Sequence, residues 1–545
     1  MSIKRFIFCF SMLVVLLFSS ACGAPATQAP SAPAATESAK YNQPFSTEPP
    51  AATEAPADSQ SQFAAPAPTQ AASAAQKANG GVQPPNGQTP GDMFFQNYGV
   101  NPAIDTEDDH LSTFALDVDT GAYTIMRRYV NDGSLPPKDS VRVEEYVNYF
   151  EQAYPNPPKH QAFGIYIDGA PGPFGESERY QMLRIGIQGY SVPAEERKDS
   201  VLTFVIDVSG SMSQENRLEL VKRSLELLVE QLRRSDQVSI VVYGTEARVV
   251  LEPTQGDQQD EILNAIYSLH PEGVTNAEAG LRLGYKLASR AFNPEGINRV
   301  ILCSDGVANL GDTSAESIWE HVKRRAGEGI TLTTVGFGMG NYNDVLMEQL
   351  ADNGNGFYAY VDTLKEARRL FVENLTSTLQ VIAMDAKIQV DFNPAVVARY
   401  RLVGFENRAV ADQDFRNDKV DAGEIGAGHN VTALYEIKLQ PEAAGKIGTV
   451  SMRWKDPDTQ NVVELSQDFE TNQMADSFER SDPHFQWDVS VAEYAEVLRD
   501  SYWAKNSSLE AVRRQVERIS ELLPRNQDVT EFVNLARQAS DLRGE

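Results

Sequence analysis

Short apolar runs that alternate with helical patterns dominate the middle of the chain. Each run is rich in β-branched residues and is followed by turn residues, as buried strands are. The runs span residues 201–206, 237–243, 299–304 and 330–336. After the first run, apolar residues recur at the spacing of one helix face: Leu218, Val221, Leu225, Leu228 and Leu232. This alternation predicts a doubly wound, mainly parallel α/β domain over about 198–380.

The first run ends in an acid and two hydroxyls on alternating residues, Asp207, Ser209 and Ser211. Gly210 between them lets the backbone curl so that the alternate side chains can converge. Such oxygen ligands suit a hard cation, and hydroxyl ligands leave a bound Mg²⁺ able to accept a carboxylate from a partner. Asp and Ser after a strand also cap helices and form turns, so the loop alone leaves a purely structural role open.

Two further segments place oxygen atoms at the ends of predicted elements. Thr275 precedes a helical pattern that begins at Ala277, and Asp305 follows the strand at 299–304. In an open parallel sheet, the loops after the strands meet at one edge, where ligands bind. We therefore expect these two residues to join the first loop in one site. Val274 and Met212 are candidates for contact with a partner at its rim.

The order Asp-x-Ser-x-Ser, a distant Thr and a distant Asp resembles the metal-ion-dependent adhesion site (MIDAS) of von Willebrand factor type A (VWA) domains. The resemblance implies a Rossmann-like VWA fold and a bound Mg²⁺, or another divalent cation such as Mn²⁺ or Ca²⁺. It implies that Ser209, Ser211 and Thr275 are ligands, and that Asp207 and Asp305 act directly or through water. It also implies a protein partner that presents an acidic residue.

The first residues predict export. Lys4 and Arg5 precede an apolar run at 6–18, and small residues lead to Cys22. The run is shorter than the roughly 20 residues of a spanning helix, so a retained membrane helix is the weaker interpretation. Ser-Ser-Ala-Cys resembles a bacterial lipoprotein box with Cys22 as the lipidated residue, although Ser19 stands where that family prefers Leu. The resemblance implies a protein anchored at the outer face of the bacterial cell membrane, on its periplasmic or extracellular side.

Composition sets further bounds on the chain. Residues 22–92 are rich in Ala, Pro, Thr, Ser and Gln and predict a disordered tether, because they lack the large apolar residues of a core. The three cysteines leave no expected disulfide, since Cys9 departs with the signal, Cys22 carries lipid and Cys303 lies in a predicted buried strand. The formal net charge of -28 argues against binding to nucleic acid, whose phosphates would be repelled.

Enzymatic interpretations of Asp117 and Asp119 lack essential parts. Asp119-Thr-Gly is the short signature of aspartic proteases, but their catalysis needs a second carboxylate and no second Asp-Thr-Gly or Asp-Ser-Gly occurs. Asp117-Val-Asp119 resembles the motif of aspartate-nucleophile phosphatases, but that motif has Thr or Val at the position of Gly121. Metal-dependent hydrolysis would need a general base near the metal loops, and the sequence indicates none. The chain is therefore predicted not to be an enzyme.

The segments on either side of the VWA domain extend the resemblance. Residues 112–123 and 142–150 resemble the N-terminal module of bacterial YfbK-type VWA lipoproteins, which makes Asp117 and Asp119 structural or interfacial. From 381 onward, alternating runs predict half-exposed antiparallel strands, followed by helices at 488–500 and 508–523. This part resembles the C-terminal module of the same family.

The predicted organisation has five parts, with an α+β N-terminal module and a β-rich C-terminal module with terminal helices around the VWA domain. They are a signal peptide at 1–21, a tether at 22–92, the N-terminal module at 93–197, the VWA domain at 198–380 and the C-terminal module at 381–545. The predicted function is binding of a protein partner at the cell envelope through a divalent ion. The alternative is a scaffold or chaperone-like subunit of a cell-envelope complex, with a structural metal loop.

Overall fold

The structure, a computed structural model, describes residues 95–116, 119–174, 180–306, 315–338 and 342–545. The predicted signal peptide, the tether and Cys22 lie outside these ranges, and so does Asp117. Within them, no helix combines the length and the apolar character needed to cross a membrane.

The described elements are named in chain order. The strands are β1 (Ile104–Asp105), β2 (Leu111–Ala115), β3 (Phe163–Pro171), β4 (Tyr180–Gly189), β5 (Ser200–Asp207), β6 (Gln237–Tyr243), β7 (Ala247–Gln255), β8 (Ile297–Ser304), β9 (Thr331–Phe337), β10 (Tyr358–Val361), β11 (Val381–Phe392), β12 (Val397–Val403), β13 (Gly423–Gly426), β14 (Asn430–Leu439), β15 (Lys446–Lys455) and β16 (Val462–Glu470). The α-helices are α1 (Gly121–Asn131), α2 (Val143–Val147), α3 (Arg217–Val229), α4 (Gln259–Tyr267), α5 (Ala277–Ala291), α6 (Ala315–Gly327), α7 (Asp344–Asn353), α8 (Leu364–Arg368), α9 (Leu375–Leu379), α10 (Pro483–Leu498), α11 (Leu509–Ser520) and α12 (Gln527–Arg543).

The middle of the chain forms the predicted doubly wound α/β domain. Its sheet has the order β10-β9-β8-β5-β6-β7, and its strands pair in parallel except for β7, which runs antiparallel to β6 at the edge. Separate clusters of buried apolar side chains cover the two faces of this sheet. One contains residues of α5, α6 and α7, and the other contains residues of α3, α4 and α8. The predicted fold class is confirmed.

Helix packing follows the apolar pattern of the sequence. The predicted face of α3 is buried at Leu218, Val221, Leu225 and Leu228, while Leu232 lies beyond the end of the helix and is half-buried. On the other side, α5 approaches β5 closely through Gly284, where a Cβ would lie 2.3 Å from Cγ2 of Val205. This central strand is buried along its whole length, as a strand covered on both faces must be.

Strands from the two segments that flank the VWA domain pair with each other. One sheet has the order β1-β12-β14-β4-β3, and in the second β11 pairs with β2, β13 and β15. Both sheets contribute to one buried cluster, which includes residues of β4, β11 and β14. They therefore pack face to face as a sandwich that needs residues from before and after the VWA domain.

The terminal helices pack on the same flanking unit. Side chains of α1 and α2 share a buried cluster with α10, α11 and α12. Aromatic rings form much of it, and Tyr123 stacks on Tyr149 with 3.8 Å between ring centroids. The sequence predicted two of these C-terminal helices, α10 and α11, but it did not predict α12.

Candidate functional site

Asp207 is the last residue of β5 and lies where the parallel strands of the VWA sheet end. The side chain is fully buried, and its two carboxylate oxygens accept different hydrogen bonds. Oδ1 accepts the backbone N–H of Ser209 at 2.8 Å, and Oδ2 accepts the hydroxyl of Ser304, the last residue of β8, at 3.0 Å. Asp207 thus fixes the turn that follows its own strand and links it to the end of the neighbouring strand.

The two serines of the loop lie side by side. Oγ of Ser209 and Oγ of Ser211 are 3.0 Å apart, with Ser209 buried and Ser211 half-buried. Glu272 N donates to Val208 O at 2.5 Å, and Gly210 N donates to Gly273 O at 3.2 Å. These two backbone bonds hold the segment that carries Thr275 against the serine loop.

Thr275 precedes the start of α5 and is half-buried. Its neighbour Asn276 is the N-cap of that helix, and its side-chain oxygen accepts the backbone N–H of Ala279 at 3.1 Å. The side chain of Asn276 therefore satisfies a free N–H at the helix start, as N-cap residues do. This contact fixes the segment that presents Thr275.

Asp305 follows β8 and is buried, but it has a partner that the sequence did not indicate. Nη1 of Arg217 donates to its Oδ2 at 2.7 Å, and both side chains are 5% exposed. Gly338, with φ of 85°, makes room for the arginine, since a Cβ there would lie 2.2 Å from Nε of Arg217. The pairing joins residues 88 positions apart, so no local pattern in the chain could reveal it.

The buried carboxylates affect each other. Burial raises the pKa of Asp207 to about 6, and the negative charge of Asp305 acts in the same direction, while hydrogen bonds from Ser209 and Ser304 oppose the rise. Two acids in a place with little water favour a positive charge beside them. In the structure, Arg217 supplies that charge.

The predicted site residues lie on three segments of the described chain. Asp207, Ser209 and Ser211 lie on one turn, Asp305 follows the serine that hydrogen-bonds to Asp207, and Thr275 lies on the adjoining segment. Within the described ranges, no group of three or more His, Cys, Asp or Glu side chains is placed to hold a metal ion. A cation here would depend on the hydroxyls.

The rim of the site is only partly as predicted. Val274 is 67% exposed and is available to a partner. Met212 is fully buried, so the prediction that it could touch a partner is wrong. Its side chain packs in the cluster under α3 and β5, because the turn after Ser211 directs it into the core.

Comparison with known proteins shows what the chain resembles. Three family models match the chain. The model of the von Willebrand factor type A domain matches residues 202–374. A model described as the C-terminal part of uncharacterized protein YfbK matches residues 377–542, and a model described as von Willebrand factor matches residues 89–184. Uncharacterized protein YfbK of Escherichia coli (strain K12) is 36% identical over 453 residues, which cover 78% of this chain and 77% of that protein. The chain belongs to the YfbK family.

More distant similarities lie outside the YfbK family. Human inter-alpha-trypsin inhibitor heavy chain H3 is 28% identical over 264 residues, which cover 44% of this chain and 28% of that protein. A solved structure described as von Willebrand factor type A from Catenulispora acidiphila is 14% identical, with a TM-score of 0.42, and the match covers 68% of this chain and 89% of that one.

In this YfbK-family chain, Asp119 is held by structural contacts. It is 4% exposed, and its Oδ1 accepts the backbone N–H of Tyr358 at 2.9 Å. Its Oδ2 accepts Nη2 of Arg408 at 3.2 Å. The acid that forms part of a protease-like signature thus ties the N-terminal segment to β10 of the VWA sheet and to the C-terminal segment.

Proposed function

We propose that the chain binds a protein partner through a divalent cation held at Asp207, Ser209, Ser211, Thr275 and Asp305. Mg²⁺ is the proposed ion, with Mn²⁺ or Ca²⁺ as alternatives, and an acidic residue of the partner completes its coordination. VWA domains are often involved in protein–protein interaction, which supports binding as the general role. The proposal is one of binding and not of catalysis.

The distance between the two serine hydroxyls is the observation that carries this proposal. Mg²⁺ takes octahedral geometry with oxygen ligands at about 2.0–2.1 Å, so adjacent ligands lie roughly 2.9 Å apart. In the structure the two hydroxyls are hydrogen-bonded to each other with 3.0 Å between their oxygens, a separation that also fits one edge of such an octahedron. Hydroxyl ligands add no negative charge, so a bound ion would keep its attraction for a carboxylate from outside.

We also propose that the protein is exported and anchored in the bacterial cell membrane through lipid on Cys22. The support is the sequence of the first 22 residues, in which basic residues, an apolar run and a small-residue cleavage site precede the cysteine. The Ala- and Pro-rich segment at 22–92 would then hold the VWA domain away from the membrane surface.

One observation favours the alternative, a scaffold or chaperone-like subunit whose loop has a structural role. Asp305 already receives a hydrogen bond from a buried guanidinium, that of Arg217, at 2.7 Å. A permanent Arg217–Asp305 pair would neutralise one of the two acids and leave less reason for a metal to bind.

Capture of partners in the presence and absence of metal distinguishes these functions. The exported protein is incubated with envelope extract in Mg²⁺ or in EDTA, and bound proteins are identified. We expect a partner that is retained in Mg²⁺ only, and that is lost when Asp207→Ala or Ser211→Ala replaces the native protein.

Ser213→Ala is the matched control, because Ser213 lies on the same loop but its exposed hydroxyl donates to Gly210 O at 2.7 Å. Equal capture in Mg²⁺ and in EDTA, or by native protein and by Ser211→Ala, would contradict metal-dependent adhesion and favour the scaffold.

A further inference from the structure

A cavity separates the VWA domain from the flanking sandwich. Its volume is about 350 Å³, and its walls come from β10, from the turn after α8, from residues 148–154 and from residues 424–430. Arg299 lines the cavity near the start of β8, whereas Asp305 follows the end of that strand. Six residues of extended chain span roughly 20 Å, so this cavity is distinct from the candidate metal site.

Arg299 is a buried arginine whose hydrogen bonds are incomplete. The side chain is 1% exposed, Nε donates to Thr331 Oγ1 at 3.2 Å, and Nη1 donates to Thr333 Oγ1 at 3.2 Å and to the backbone oxygen of Thr378. Within the described part of the chain, Nη2 has no hydrogen-bond partner, and no carboxylate lies within ion-pair distance of Arg299. Buried charged groups are normally paired, so this one needs an explanation.

Arg369 is a second arginine in the wall with an unused donor. Its guanidinium lies 3.8 Å from the ring centroid of Tyr149 and donates to the backbone oxygen of the same residue. Nη1 is buried without a hydrogen-bond partner in the described ranges, and it forms a long ion pair with Oδ2 of Asp528 at 3.9 Å. Arg369 begins a π-helical turn over Arg369–Glu373, an irregularity that often marks functional sites.

His429 adds a third basic side chain to the cavity. Neither ring nitrogen has a hydrogen-bond partner among the residues described. Burial and the positive charges of Arg369 and Arg299 lower its pKa to about 4, so the ring is neutral near pH 7. A neutral imidazole offers one N–H donor and one acceptor.

Four acids line the cavity: two have other partners, one is exposed, and the charge of Glu424 acts on Arg299. Glu366 accepts hydrogen bonds from Nη2 of Arg127 and from the hydroxyl of Tyr149, both at 2.9 Å. Asp119 accepts hydrogen bonds from the backbone N–H of Tyr358 and from Arg408. Glu424 partly opposes the effect of burial on Arg299, whose pKa falls to about 10. Glu151 is exposed, so the cavity opens to solvent on its side.

We propose that this cavity binds a small organic or inorganic anion whose carboxylate or phosphate oxygens accept hydrogen bonds from Arg299 and Arg369, with His429 contacting the remainder of the molecule. The volume lies within the range of about 300–1,000 Å³ that is usual for small-molecule sites. Guanidinium groups match carboxylate and phosphate geometry, and a bound anion would satisfy the donors that the protein leaves unused. This ligand is independent of the proposed cation.

Titration calorimetry of the full-length protein tests the proposal with three probes. Succinate and inorganic phosphate represent the two kinds of anion, and glycerol is the uncharged probe. We expect saturable binding of at least one anion, at one site per chain, with no saturable heat from glycerol and no change in EDTA. Which anion binds more tightly identifies the oxygen group that the cavity prefers.

Variants locate the binding. Arg299→Gln and Arg369→Gln should weaken it by at least about tenfold, because each removes a charged donor. Arg368→Gln, the exposed neighbour of Arg369, should bind as the native protein does. Should Arg299→Gln not fold, Arg369→Gln, at a side chain that is 18% exposed, provides the same test. No saturable binding of either anion at millimolar concentrations, or an equal loss in Arg368→Gln, would overturn the proposal in favour of a water-filled cavity.

Discussion

At the residue scale, Arg217 controls the charge of the candidate metal site. It supplies one positive charge beside two buried acids, Asp207 and Asp305. A divalent cation would supply two charges, and it would compete with the guanidinium for Asp305. The arginine therefore stabilises the loop when metal is absent, and it would weaken the proposed binding of a metal at the same time.

Arg217→Gln should make the stability of the protein depend on metal. Without metal, the free energy of unfolding should fall by about 3–5 kcal/mol, because a buried acid loses its partner. Mg²⁺ should restore much of that loss by binding between the acids and the hydroxyls. Thermal unfolding in EDTA and in Mg²⁺ measures both effects.

Arg223→Gln is the matched control for this experiment, since Arg223 is exposed on the same helix, α3. Its stability should equal that of the native protein in both conditions. If Mg²⁺ leaves the Arg217→Gln variant as unstable as EDTA does, the loop binds no metal and Arg217 is a permanent structural partner.

Glu144 gives the protein a predictable dependence on pH. It is 4% exposed, and its Oε2 accepts the backbone N–H of Phe405 at 2.9 Å. Burial and the charges of Glu406 and Glu145 raise its pKa from 4.5 to about 7. Because the folded value lies above the unfolded one, its contribution to stability is complete below 4.5 and is lost as the pH rises through about 7.

Glu144→Gln should therefore stabilise the protein at about pH 8 and have little effect at about pH 5, since Gln keeps the acceptor without the charge. Denaturant unfolding at the two pH values measures the difference, with Glu107→Gln, at an exposed position, as the control. A variant that loses stability equally at both pH values would show that Glu144 is charged in the folded protein.

Much of the candidate site could be predicted from the sequence, but some of its residues could not. Asp207, Ser209 and Ser211 lie within five residues after one apolar run, so local spacing was enough to single them out. The ion pair between Arg217 and Asp305 left no such signal. The burial of Met212 was also missed, because whether a residue after a turn points inward depends on tertiary packing.

At the scale of elements, a buried ionic cluster joins parts of the chain that are distant in sequence. Nε of Arg127 on α1 donates to Asp362 Oδ2 at 2.8 Å, and its Nη2 donates to Glu366 Oε2 on α8 at 2.9 Å. Glu531 on α12 lies 3.3 Å from its Nη1. Arg127 is fully buried, so this cluster fixes the N-terminal and C-terminal helices against the end of the VWA domain.

Arg127→Met should lower the free energy of unfolding by about 3–5 kcal/mol, because Asp362 and Glu366 would stay buried without their cation. Arg128→Met is the neighbouring control. Its side chain is 31% exposed and pairs with the half-exposed Asp132, so the loss should be under about 1 kcal/mol. Denaturant unfolding compares the two, and equal losses would mean that the buried cluster contributes no more than a surface pair.

Strands and helices with a clear apolar pattern in their own sequence were predicted, and those with a weak pattern were missed. Four parallel strands of the VWA sheet, β5, β6, β8 and β9, are runs of β-branched residues bounded by turns, and the sequence predicted them. The short edge strand β10 was not predicted. The helix α12 was missed because its buried face includes small residues, Ala536 and Ala539, that carry a weak apolar signal. The edge strand β7 mixes exposed and half-buried residues and was missed for a similar reason.

At the scale of the whole molecule, the VWA domain is inserted into the flanking unit. Lys198 N donates to Gln380 Oε1 at 3.0 Å, so the two ends of the predicted domain meet. The flanking strands pair across it, and β14 lies between β12 and β4 with its register running from Asn430 opposite Gln188 to Lys438 opposite Tyr180. Such pairing over more than two hundred residues is invisible to local patterns, so the sequence suggested two separate modules.

Fragments of the chain should reflect this insertion. Residues 198–380 alone should unfold cooperatively, because the two apolar clusters of the sheet come mainly from this segment. Residues 381–545 alone should not, since β11 and β14 lose β2 and β4. Circular dichroism during heating measures both, and a cooperative transition in the 381–545 fragment would contradict the interleaved arrangement.

A crystal structure of the full-length protein grown in saturating Mg²⁺, with Mn²⁺ in a second crystal for its anomalous signal, directly tests the metal site on which the proposed adhesion depends. We expect one ion bound by Oγ of Ser209 and Oγ of Ser211 at about 2.0–2.1 Å for Mg²⁺, with a coordination position facing solvent next to Val274. A saturated crystal with no ion at the two hydroxyls and with the Arg217–Asp305 pair intact would contradict it.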